Sequence, residues 1–99
     1  MNYNFEWDPN KASQNTKKHK ITFESATSVF KDKNSISLYD EGHSQEKDEE
    51  RWVTIGIDNE TRSLVVVHTF ISIDKNNCNI RLISARKATK KEEKIYKQG

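Results

Sequence analysis

Residues Arg51–Ala85, RWVTIGIDNETRSLVVVHTFISIDKNNCNIRLISA, decide the fold. Three apolar-rich segments, Arg51–Ile57, Leu64–Ile71 and Asn79–Ala85, are separated by Asp58-Asn59-Glu60-Thr61 and Asp74-Lys75-Asn76-Asn77. Both separators are turn sequences, so the segments read as consecutive antiparallel strands. In Leu64-Val65-Val66-Val67 every position is apolar, which predicts a central strand covered on both faces.

Upstream of this block, Ile36 and Leu38 alternate with serines and suggest a short strand. The charged stretch Asp40–Glu49 contains Gly42 and reads as a surface loop. Thr22 can cap a helix from Phe23 to about Lys31, with Phe23, Ala26, Val29 and Phe30 on one face. Asp8-Pro9 is an N-cap followed by proline at the first helical position, starting a polar helix that ends near Lys18-His19. Before it lies a short extended aromatic segment, Asn4-Phe5-Glu6-Trp7. At the other end, Thr89 and Glu92 have capping-box spacing and open a last helix to about Lys97. The expected architecture is α+β, one domain over 1–99. It has an antiparallel sheet of about four strands, two N-terminal helices and a C-terminal helix.

Composition narrows the functional classes. Of 99 residues, 32% are hydrophobic and 32% charged, so the core must be thin. No apolar run approaches the roughly 18 residues of a membrane span. The polar start Met1-Asn2-Tyr3-Asn4 does not suggest a secretory signal, and a cytoplasmic protein is expected. The lone Cys78 permits no internal disulfide and argues against a cysteine-based zinc site. Charge is unevenly spread. Asp40–Glu50 carries six acids and one base, whereas Lys75–Gly99 carries eight bases and two acids. A basic C-terminal quarter suits a polyanion, although Lys90, Lys91, Lys94 and Lys97 also fit the solvated face of a helix.

Several short strings, in order, resemble one family. They are Phe5-Glu6-Trp7-Asp8, Lys11-Ala12, Asn15, Lys18-His19, Ile21, Phe23-Glu24 and Ala26, then Asp40, His43-Ser44, Glu50-Arg51-Trp52, Ile55-Gly56 and Val67-His68-Thr69. Ile80-Arg81, Ile83-Ser84-Ala85-Arg86-Lys87-Ala88, Glu92 and Tyr96 complete the pattern, and Ser-Ala-Arg-Lys-Ala is its most specific piece. Together they resemble the BrnT family of bacterial toxins over nearly the whole chain. The resemblance implies a RelE-like ribonuclease toxin of a type II toxin–antitoxin module that cleaves RNA and inhibits translation. It also implies a heteromeric complex with a BrnA-like DNA-binding antitoxin, through which alone the toxin meets DNA. One position departs: many members carry an arginine two residues after the His-Thr pair, where this chain has Ile71. That departure supports the alternative of a non-catalytic partner in operon repression.

RNA cleavage without a metal needs a base for the 2′-OH, cations around the phosphate and an acid for the 5′-oxygen. The nucleophile belongs to the substrate, so no protein serine or cysteine is needed; no cofactor is expected. Arg81, Arg86, His68 and Lys87 are the candidate catalytic residues; Arg51, Lys18, Lys90, Trp52 and His43 are candidate RNA contacts. Arginine suits phosphate because it stays charged and presents a planar fork. A regular strand puts Arg81 and Arg86 on opposite faces, so the strand is expected to end before Arg86, leaving Arg86 and Lys87 at the rim. Alternatively Arg86 pairs with an acid such as Glu6 or Glu50 and ties the sheet to a helix. His68 reads as acid or base, or as a core histidine satisfied by a backbone carbonyl. Charge on His19 complements the C-terminal end of the first helix. Trp52 can stack on a base or, with Phe5 and Trp7, form an aromatic core. The histidine spacing matches no metal motif, and no metal site is expected.

Overall fold

A computed structural model describes residues 2–41 and 50–99. Its elements are β1 (Asn2–Glu6), α1 (Pro9–His19), α2 (Phe23–Thr27), a 3₁₀ turn over Ser28–Lys31, β2 (Ile36–Tyr39), β3 (Glu50–Ile57), β4 (Ser63–Ser72), β5 (Asn77–Lys87) and α3 (Lys90–Gln98). The strands form one sheet in the order β1-β5-β4-β3-β2. The α+β class is as expected, but the sheet has five strands and is mixed. The N-terminal aromatic segment pairs parallel to β5, with Phe5 opposite Ile80. A parallel pair needs a long crossover and carries no turn signature, so nothing local announces it.

The caps behave as their residue types dictate. Asp8 Oδ1 accepts from the Asn10 N–H at 2.8 Å, and Pro9 opens α1. Lys20 closes that helix in the left-handed region at φ 61°. Thr22 Oγ1 accepts from the Ser25 N–H at 3.1 Å to start α2. α2 is shorter than the spacing predicts, because the chain tightens into a 3₁₀ turn from Ser28. There the hydroxyls of Thr27 and Ser28 donate to the carbonyls of Glu24 and Ser25, each at 2.6 Å, in competition with regular helix bonding.

α1 and α2 cover the inner face of the sheet. Ile21, Phe23, Ala26 and Val29 meet Leu64, Val66, Cys78, Ile80, Leu82 and Ala85 there. On the outer face, Ile36, Ile55, Val65 and Arg86 form one cross-strand row, and α3 packs against β3. Val65 and Val66 are therefore both buried, as expected for a central strand. Gly56 lies under the 3₁₀ turn, where an added Cβ would stand 2.7 Å from Val29 Cγ1.

β5 does not stop before Arg86; it runs through Lys87. Its pairing with β4 slips between Val67, opposite Ser84, and His68, opposite Leu82, which leaves Ile83 as an extra residue. Such a bulge reverses the alternation of the strand beyond it. Inward positions change from Cys78, Ile80 and Leu82 to Ala85, and Arg86 joins Arg81 on the outer face. Where β1 ends, α1 takes over the edge of β5. Asn15 Nδ2 donates to the Ala85 carbonyl at 2.9 Å and Oδ1 accepts from the Ala85 N–H at 3.1 Å. The same amide nitrogen donates to the Ile21 carbonyl at 3.0 Å. A polar helix is thus held to the sheet by one buried side chain.

Candidate functional site

The outer face is occupied by α3 at one end, and arginines line the other. Arg51 on β3 registers opposite Thr69 on β4, and Thr69 opposite Arg81 on β5. Glu6 on β1 registers opposite Arg81 and completes the row. Two strand spacings separate the arginine backbones, roughly 10 Å. Arg81 Nε lies 3.5 Å from Glu6 Oε1, and Arg51 Nε 3.8 Å from Asp40 Oδ2. Arg81 keeps 48% of its side chain exposed and Glu6 55%, so solvent screens that pair, whereas Arg51 keeps 31% with its Nε buried. Two residues further along β4 the same face carries Ile71.

Arg86 lies four positions along β4 from this row, opposite Val65. Its Nη1 and Nη2 donate to Glu92 Oε1 and Oε2, both at 2.8 Å. Glu92 Oε1 also accepts from the Thr89 N–H at 2.9 Å, closing the capping box of α3. The Arg86 hydrogen bonds hold the Glu92 carboxyl down to about 2. Arg86 therefore ties the sheet to a helix, the alternative its sequence left open, although its partner is Glu92 rather than Glu6 or Glu50. Lys87 is exposed at the end of β5 and registers opposite Leu64, away from Arg86.

His68 points into the inner face and is 2% exposed. The Thr69 carbonyl can only accept, so His68 Nδ1 carries the proton and donates to it at 3.0 Å. Nε2 then accepts from the Thr54 hydroxyl at 2.7 Å, and the Ser37 hydroxyl donates to Thr54 at 2.8 Å. The Phe30 ring packs edge-on against the imidazole. Burial pushes His68 below its ordinary pKa, with the Thr69 hydrogen bond acting the other way. This is the satisfied core histidine, and the sheet separates it from the arginine row.

Trp52 also faces inward, opposite His68, its indole edge-on to Tyr39 and its Nε1–H donating to Glu50 Oε2 at 3.2 Å. Lys18 is exposed on α1 beside a groove of about 300 Å³ over Ile83 and Ser84, and Lys90 is exposed at the start of α3. His43 and most of the expected acidic loop lie outside the described residues. Among the described residues no three His, Cys, Asp or Glu side chains gather as a metal site would require. No described helix is long and apolar enough to cross a membrane.

Of the eight candidates among the described residues, the fold gathers Arg51 and Arg81 around Thr69, sets Trp52 opposite His68 on the other face, and leaves Arg86, Lys87, Lys18 and Lys90 outside both groups. Thr69 and Glu6 complete the row, and no local signal in the sequence places them there. Period-two alternation marks Arg51 and Arg81 as strand residues, but only register makes them neighbours.

A search of the curated proteins finds no match to the chain. A family model described as the ribonuclease toxin BrnT of a type II toxin–antitoxin system matches residues 7–92. That span includes Arg51, Thr69, Arg81, Arg86 and Glu92. The chain belongs to the BrnT family of ribonuclease toxins of type II toxin–antitoxin systems.

Proposed function

We propose that this toxin cleaves RNA without a metal ion, using the 2′-OH of the substrate as nucleophile. The 2′-oxygen bonds to the adjacent phosphorus as a general base removes its proton. The bond to the 5′-oxygen breaks, that oxygen takes up a proton, and the products carry a 2′,3′-cyclic phosphate and a 5′-OH. The observation that carries this reading is the Arg51–Thr69–Arg81 row on the outer face, where Thr69 is buried between an exposed Arg81 and a part-buried Arg51. Two planar cations there can bind the phosphate oxygens as negative charge accumulates in the transition state. Lys18, Lys87 and Lys90 act as sequence-independent contacts to flanking phosphates, and Arg86 positions α3. The partner is a DNA-binding, BrnA-like antitoxin in a cytoplasmic complex, and operator DNA is met only through it.

Ile71 favours a second reading. An arginine common in the family is replaced on the same face, which fits a non-catalytic partner retained for repression. Expression of the toxin alone separates the two. Growth arrest, with RNA fragments ending in 2′,3′-cyclic phosphate that persist under chelator, supports the nuclease. Normal growth and intact transcripts, with folded protein present and tight antitoxin binding, support the second reading.

A further inference from the structure

A cavity of about 210 Å³ opens on the inner face at the end not covered by α1 and α2. Trp52, Phe70, Tyr3 and Phe30 wall it, and its polar lining is Glu50, Ser37 and His68, whose two ring nitrogens are already engaged by Thr54 and Thr69. Roughly seven waters would fill this volume, less space than a drug-sized ligand takes. Flat aromatic walls with one carboxylate suit a single planar heterocycle that presents N–H donors. Trp52 is braced for such a role by Tyr39, whose ring centroid lies 5.1 Å away. The Trp52 Nε1–H holds Glu50 Oε2 at 3.2 Å, which orients the carboxylate beside the cavity.

We infer that this cavity is a nucleobase pocket selective for guanine. Guanine alone among the four RNA bases presents two adjacent N–H donors, N1–H and N2–H, that match a carboxylate. Adenine would set its N1 lone pair against the same oxygens, and such an unmatched edge is rejected strongly. Stacking on Trp52 supplies affinity without selectivity. The pocket lies at the same end of the sheet as the arginine row, because the Trp52–His68 pair is next in register to the Arg51–Thr69 pair. An RNA strand crossing that end can set a guanine in the pocket on one face and a phosphate on the arginines of the other. This link to RNA rests on the nuclease reading; nucleotide binding itself does not.

The test is a titration of the full chain with nucleoside 5′-monophosphates, followed by tryptophan fluorescence. Guanosine monophosphate should quench saturably, with the adenosine, cytidine and uridine nucleotides at least about tenfold weaker. Trp7, packed against Phe23, is remote from the cavity, so Trp52→Phe should abolish the response. Glu50→Gln should bring guanosine monophosphate down to the level of the adenosine nucleotide while leaving the melting temperature unchanged. Equal quenching by all four nucleotides, or a preference that survives Glu50→Gln, overturns the guanine assignment. Absence of a saturable response overturns the pocket altogether. No RNA is cleaved in this titration, so its failure and failure of the nuclease reading are separate results.

Discussion

Arg86 commits both ends of its guanidinium to Glu92 at 2.8 Å, whereas Arg51 and Arg81 meet Asp40 and Glu6 at 3.8 and 3.5 Å. A bidentate pair fixes geometry, here that of α3 on the sheet. Arg51→Ala and Arg81→Ala should each lower RNA cleavage about a hundredfold or more, with melting temperature nearly unchanged. Arg86→Ala should instead cost about 1 kcal/mol of stability, because it unties α3 and leaves Glu92 with only its capping role. Chemical denaturation beside an RNA-cleavage assay separates the two classes. Loss of cleavage by Arg81→Ala only together with the fold would make that arginine structural too.

At the scale of elements, the bulge in β5 and the amide of Asn15 do what no propensity announces. The bulge turns Arg86 outward and Ala85 inward, which gives α1 a small residue to approach. Asn15 then satisfies both backbone groups of Ala85 where β1 has ended. Asn15→Ala leaves these buried groups unpaired and should destabilise the fold by about 2–3 kcal/mol, read from the urea midpoint. Gly56 records an equally close approach between β3 and the 3₁₀ turn. Gly56→Ala forces its new Cβ against Val29 Cγ1, a side-chain atom held in the core, and should cost about 1–3 kcal/mol in the same assay.

For the molecule as a whole, stability should fall on acidification in two windows. Burial depresses His68, so an unfolded chain takes up its proton first. Stability from this group is full above the unfolded value, about 6.5, and declines as pH falls toward the lower folded value. Glu92 is also depressed; its contribution is full above about 4.5 and is lost as pH falls to about 2. Denaturation at pH 7.5 and 5 should show a smaller difference for His68→Gln than for the parent chain. Between pH 5 and 2, Arg86→Ala should flatten the decline. An unchanged slope in either variant would assign the pH dependence to other groups.

The sequence by itself determined the α+β class, three long strands and their turns, the caps at Asp8, Thr22 and Thr89, and the family. Each of these depends on residue types a few positions apart, where chain connectivity already brings the groups together. Only the tertiary structure decided that Asn2–Glu6 becomes a fifth, parallel strand, that Arg81 and Arg86 share a face, and that Arg86 meets Glu92 instead of a phosphate. It likewise put His68 and Trp52 behind the sheet from Arg51. These outcomes depend on register and on one extra residue in a strand, set by contacts between segments far apart along the chain.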